Sequence, residues 1–188
     1  MAKQTWKAGN MLNPVPAVMV SVADAAGRSN IITVAWAGTV CTNPPMVSIS
    51  VKPQRYSYHM LEETGEFVIN LVTKELTHAC DYCGVVSGRD VDKFRKTGLT
   101  PFFPEGFTAP AIEESPVNIA CRVKQILPLG SHHMFLADVV SVTVDEKYMD
   151  PKGKFHINDT GLVCYSHGEY FLLGEKQGSF GYSVRKKK

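Results

Sequence analysis

No stretch of this chain is apolar for long enough to span a bilayer, and Met1-Ala2-Lys3-Gln4-Thr5-Trp6-Lys7 puts no apolar run behind its charges. The expectation is a cytoplasmic protein with no membrane partner. Charge of one sign is scarce: 20 Lys and Arg stand against 18 Asp and Glu, a formal +2. Much of that excess sits in Arg185, Lys186, Lys187 and Lys188, so no basic stripe points to nucleic acid. The cysteines number five, an odd count, and only Cys80 and Cys83 are close together, which argues against a disulfide framework. Gly-x-Gly-x-x-Gly, Gly-x-x-x-x-Gly-Lys and Gly-x-Ser-x-Gly are all missing. That excludes a Rossmann cradle, a nucleoside triphosphate loop and a hydrolase nucleophile elbow. There is no internal repeat, and the Lys tail is the one biased segment.

What is present is 188 residues with 44% apolar side chains, enough to bury a core. We read one domain over 1–188, with its core in about 15–173 and a C-terminal tail from 174 to 188. Ala17 to Ala23 has strand composition and is followed by the turn Asp24-Ala25-Ala26-Gly27. Ser29 to Trp36 is β-branched and reads as a second strand, and Met46 to Val51 alternates as a third. A short helix is predicted from Tyr56 to Thr64, capped by Ser57 and ended by Gly65, before a strand at Phe67–Val72. Thr73 is the predicted cap of a second helix running to about Cys83, and Asp90 that of a third over Val91–Thr97, closed by Gly98. Pro101, Pro104 and Pro110 make an irregular connection to Glu114. Strands return at Val117–Leu127, Met134–Val144, Leu162–Tyr165 and Tyr170–Leu173. Many short strands and three short helices predict a mainly β protein, an antiparallel barrel or sandwich of Greek-key type.

Several residues carry candidate chemistry. In Lys52-Pro53-Gln54-Arg55-Tyr56-Ser57-Tyr58 a strand ends, an arginine follows and a helix begins. Outward N–H groups at a helix start, with an arginine fork beside them, suit a monophosphate. The competing reading is a solvated Arg55 and a Ser57 that only caps. Asn30 to Gly38 ends a strand in an aromatic and small residues, leaving room for a flat ring beside Trp36; the alternative is a Trp36 packed in the core. Cys80-Asp81-Tyr82-Cys83, with His78 nearby, has redox-pair or half-zinc spacing but no second ligand pair, so we expect core-facing thiols and no metal site. His132-His133 precedes a strand, where an imidazole can meet a ligand or simply lie in a surface turn. Glu62-Glu63 and Glu113-Glu114 read as solvated charges.

Taken in order, Asn30 to Trp36, Asn43-Pro44-Pro45-Met46 to Val51, Arg55-Tyr56-Ser57-Tyr58, Ser87-Gly88-Arg89-Asp90-Val91-Asp92-Lys93-Phe94 and Gly130-Ser131-His132-His133-Met134-Phe135-Leu136 resemble the flavin reductase family, most closely its flavoredoxin branch. The resemblance covers about Val15 to Leu173. It implies an FMN-binding split β-barrel and a homodimer with the flavin near the subunit interface. It also implies electron transfer from NADH or NADPH to flavin and on to an acceptor. By matching positions, Asn30 and Trp36 border the isoalloxazine, while Ser48, Ser50 and Val51 meet the cofactor through their backbone. Arg55, Ser57 and Tyr58 fall near the phosphate or ribityl chain, and Lys93 supplies a further positive charge. Ile31, Thr33, Tyr56 and Ser87 belong to the same cofactor set. His132 and Tyr165 complete the pocket, with His132, the candidate catalytic residue, where the nicotinamide approaches. The family's Asp-His-Thr stands here as Ser131-His132-His133, and the Cys80 and Cys83 pair has no counterpart in the pattern. Two rival expectations are an FMN carrier reduced by a partner protein and a colourless thiol or metal protein built on Cys80 and Cys83.

Overall fold

The computed structural model describes residues 1–185; Lys186, Lys187 and Lys188, where the sequence concentrates part of its basic excess, lie outside the described residues. The strands of the first half are β1 (Val15–Pro16), β2 (Val18–Ala23), β3 (Ser29–Val34), β4 (Ala37–Thr42), β5 (Pro45–Val51) and β6 (Glu66–Leu71). Helix α1 (Tyr56–Thr64) lies between the last two, and α2 (Thr77–Val85) and α3 (Lys93–Thr97) follow. The second half holds β7 (Pro101–Phe102), β8 (Ala111–Ile112), β9 (Val117–Pro128), β10 (His133–Val144), β11 (Val163–Ser166) and β12 (Glu169–Leu172).

Seven strands form one antiparallel sheet in the order β3-β2-β6-β9-β10-β5-β4, flanked by a β1-β11-β12 sheet and the small β7-β8 pair. The two edge strands of the large sheet, β3 and β4, are consecutive in the chain and separated only by Ala35 and Trp36. The sheet must therefore curl until its edges meet, which makes a barrel. The Ser50 N–H donates to the Trp36 carbonyl at 2.8 Å at the point of closure. One run of chain thus pairs with β2 first and with β5 afterwards. Above Trp36, β3 and β5 diverge, and the barrel is split there.

The sequence reading holds for the mainly β class and for most strands, and fails at particular places. It ends one strand at Trp36 and misses β4, whose burial is slight and whose Ala37 to Thr42 shows no clear apolar alternation. Ser57 does not cap α1: Arg55 occupies the cap position with extended backbone and no side-chain cap bond, while Gly65 ends the helix at φ 65° as expected. Thr73 bridges to Leu162 instead of capping α2, which begins only at Thr77. Asp92 rather than Asp90 caps α3, accepting from the Arg95 N–H at 3.1 Å. The Asp90 N–H closes a turn onto the Ser87 carbonyl instead.

Strand alternation sorts the two larger of three buried clusters. Val18, Val20, Val22, Ile32, Val34, Ile49, Phe67 and Phe135 fill the barrel with Met60 and Leu61 of α1. Ala17, Met19 and Ile31 point outward and are covered by Leu76, Cys80 and Cys83 of the α2 region and by Phe94 of α3. Strand β2 is buried on both faces, which is why Ala17 to Ala23 reads as a nearly continuous apolar run. Among the described residues no helix is long and apolar enough to cross a membrane. Phe67 is fully buried in the barrel. Phe67→Ala is expected to destabilise the protein by about 3–5 kcal/mol in chemical denaturation; a loss of less than about 1 kcal/mol would mean the barrel interior is not the main core.

Candidate functional site at the split of the barrel

The split between β3 and β5 opens a groove of three connected chambers. The middle one, about 120 Å³, lies between Ile32–Trp36 and Ser50–Lys52. It shares Ile32 and Arg55 with a chamber of about 180 Å³ bounded by the start of α1, the end of α2, Ser87, Gly88 and Lys93. At the other end it shares Trp36, Ser50 and His132 with an open chamber of about 460 Å³, roofed by Gly9 to Leu12. The exposed edge of β3 runs along this groove, offering backbone groups that no neighbouring strand takes.

The inner end is built for an anion. Lys52, Arg55 and Lys93 line the two smaller chambers, no Asp or Glu lines either, and none of the three makes an ion pair among the described residues. Lys93 is 3% exposed, and its Nζ donates to the carbonyls of Ile31 and Cys83, both at 2.7 Å. A lysine has three such donors, so one remains unspent. Burial, and Arg55 beside it, hold its pKa below the usual lysine value. The N–H groups of the first turn of α1 add their partial positive charge at the same place.

Asn30 supplies a second unspent group. Its Nδ2 donates to Ser57 Oγ at 2.8 Å, and its Oδ1 is buried without a partner. Whichever way the amide is turned, one of its two polar atoms is left over. Ser57, 1% exposed, accepts from Asn30 and keeps its own proton for another acceptor. A Cβ added at Gly88 would overlap the Asn30 amide, so this wall admits only glycine without a shift. Buried polar groups are almost always satisfied, and the arrangement fits a ligand with an anionic group and hydrogen-bonding edges. At the outer end, burial, with Lys52 and Arg55 nearby, lowers the pKa of His132 and favours its neutral form.

A family model described as flavin reductase like domain matches residues 11–171. The chain belongs to that family. It resembles flavoredoxin of Desulfovibrio vulgaris (Miyazaki F) with a TM-score of 0.89 and 29% identity, covering 98% of this chain and 100% of the other. Flavoredoxin from Methanosarcina acetivorans gives 0.88 and 27% over the same shares of the two chains. The protein YddH of Escherichia coli (strain K12) is 30% identical over 178 residues, 90% of this chain and 92% of its own.

Of the residues singled out from the sequence, Asn30, Thr33, Trp36, Ser50, Val51, Arg55, Tyr56, Ser57, Ser87, Lys93 and His132 come together along this groove. Trp36 is 37% exposed at the junction of two chambers and is not a core residue. The Thr33 hydroxyl is engaged with the Cys80 carbonyl. Four others lie elsewhere. Ile31 packs under β3 in the outer core, and only its carbonyl, held by Lys93, borders the site. Ser48 sits further along β5, between Gly38 and Leu136. Tyr58 turns into the barrel beside Phe135. Tyr165 pairs with Val15 and packs edge-on against Tyr170. Cys80 and Cys83 are buried on α2, where burial pushes their pKa values up to about 12 and about 11. That matches the core-facing reading of this pair and disfavours their thiolate forms. The reading missed Lys52, Gln54, Leu129 and the Gly9–Leu12 roof; only Lys52 and Gln54 carried a signal, lying within the segment recognised as a phosphate candidate.

Because Lys93 has a lowered pKa in the fold, the folded chain sheds this proton before the unfolded chain does. Below the folded value both states are charged and the cost of burying the cation is fully present. As pH rises from that value to 10.5 the cost is relieved. The unfolding free energy of wild type relative to Lys93→Met is therefore expected to be flat below this window and to rise across it. Parallel pH profiles for the two proteins would show that Lys93 is not a buried cation.

Proposed function

We propose that the groove holds FMN and that the protein passes electrons from NADH or NADPH through it to an acceptor. The observation that carries this reading is the inner end of the groove: Lys52, Arg55 and Lys93, without an ion-pair partner among the described residues, and a helix N-terminus around the two smaller chambers, with the unsatisfied Asn30 amide beside them. Membership of the flavin reductase-like family supports a flavin, and the anion site supports the phosphorylated form over riboflavin.

When bound, FMN supplies the one- or two-electron exchange that side chains cannot. The chain's own residues do the rest. Arg55, Lys93 and Ser57 would hold the phosphate end by charge-assisted hydrogen bonds. The free edge of β3 and Ser50 of β5 would align a flat ring along the split, with Asn30 meeting its polar edge and Trp36 bordering it. His132 stands at the mouth of the open chamber, the place left for a second molecule such as a nicotinamide. Its neutral imidazole can accept or donate a hydrogen bond there without adding charge. No side chain is required to act as an acid or base. We further infer a homodimer: Val40 of β4 and Val140 and Val142 of β10 are apolar and about half exposed, as a surface covered by a second copy would be.

The purified protein is expected to be yellow, and its flavin to bleach within a stopped-flow mixing experiment with NADH or NADPH. Bleaching by a reduced partner protein alone would replace the reductase with a carrier. Arg55→Ala and Lys93→Met should each weaken FMN binding by about 1.5–3 kcal/mol, roughly 10- to 150-fold in Kd. An unchanged Kd in both variants would remove the phosphate assignment.

A further inference from the structure

We propose that Glu62, Tyr58 and His133 form a positioning chain that fixes His133 with a proton on Nδ1 and ties the turn carrying Ser131 and His132 to α1. Its bearing on the flavin rests on the function proposed above, while the chain of bonds stands on geometry alone.

Tyr58 Oη lies 2.8 Å from Glu62 Oε1 and 2.6 Å from His133 Nδ1. The phenol has one proton for two neighbours. It keeps that proton at neutral pH, because burial, with Glu62 alongside, pushes its pKa up to about 12. A carboxylate can only accept, so the phenol donates to Glu62. A bare Nδ1 would then face a phenol lone pair at hydrogen-bond distance, which is repulsive. Nδ1 therefore carries a proton and donates to Tyr58.

Packing holds the same arrangement. The Tyr58 ring meets His133 edge-on at 5.4 Å and Phe135 at 5.5 Å. Across the sheet, β5 and β9 place the apolar Val51 and Pro128 opposite His133, and Tyr58 of α1, itself bonded to Glu62, is the titratable group that contacts it from another element. His133 is the first residue of β10 and closes the turn begun by Pro128, in which the Leu129 N–H donates to the His132 carbonyl at 3.1 Å. Leu129, Ser131 and His132 of that turn line the open chamber. The first turn of α1 meanwhile contributes Tyr56 and Ser57 to the inner chamber. One helix thus sets both ends of the groove, the outer end through His133. Glu62, read from sequence as a solvated charge, remains exposed but directs the proton order of the chain.

The test is a long-range proton–nitrogen correlation spectrum of the full-length protein as purified, near pH 8, with Glu62→Ala and Tyr58→Phe alongside. Wild type should show His133 protonated on Nδ1. Removing the exposed Glu62 leaves the fold intact and frees the phenol proton to turn toward His133, so Glu62→Ala should switch the ring to the Nε2–H tautomer. Tyr58→Phe removes the tether, so the His132 pKa should climb back toward its ordinary value and FMN should bind roughly fivefold more weakly, the equivalent of one neutral hydrogen bond. A wild-type His133 bare at Nδ1, a tautomer indifferent to Glu62→Ala, or an unmoved His132 titration in Tyr58→Phe would overturn the proposal. The spectrum needs no flavin. A colourless protein with Nδ1–H on His133 would sink the proposed function alone, and a yellow one with Nε2–H would sink this chain alone.

Discussion

Between Ser29 and Thr42 a single run of chain serves both margins of the barrel, pairing first with β2 and then, after Ala35 and Trp36, with β5. The switch leaves β3 bonded on one side only. An unpaired strand edge invites association and is normally blunted by charge, by covering elements or by closure. Here α2 and α3 back β3 from outside, through Cys80, Cys83 and Phe94 against Ile31. The remaining open edge becomes the wall of the groove. Everything else in the site is arranged relative to it: β5 faces it, α1 begins at its end, and Lys93 reaches from α3 to the Ile31 carbonyl.

The electrostatics follow from that enclosure. Lys93 loses water without gaining a carboxylate, and its two carbonyl partners offset only part of the cost. Arg55 and Lys52 face the same space, so like charges are crowded where the fold alone would gain by separating them. At the far end burial, with Lys52 and Arg55 adding to it, lowers the pKa of His132. A protein retains such an arrangement when a bound anion recovers the cost, which is the physical content of reading the inner chamber as a phosphate site.

The buried thiols show how a chemically suggestive pattern can serve packing alone. Cys80 and Cys83 are one helical turn apart and face β3, where the Thr33 hydroxyl takes the Cys80 carbonyl and Gly84 lets the helix approach the Thr33 side chain. Their raised pKa values keep them as thiols. What they provide is a close fit of α2 to the back of the strand whose front lines the groove.

Composition and periodicity alone determined the mainly β class, the placement of most strands and the three helical segments, because alternation and turn residues act within a few neighbours. The resemblance to the flavin reductase family, carried by the order of short segments, is what marked Asn30, Trp36, Arg55, Ser57, Lys93 and His132 as a set. Three things were decided only in three dimensions. Strand β4 takes its place through pairing with β5 at the closure of the barrel; Thr39, Val40 and Thr42 are β-branched, but the strand's slight burial leaves no apolar alternation to mark it. The caps expected at Ser57, Thr73 and Asp90 are not used, although α1 itself begins at Tyr56 as read, because cap positions depend on where packing lets the first turn form. Tyr58 and Ser48 left the groove because a side chain's face is set by the register and orientation of its element, and position along the chain does not carry that information.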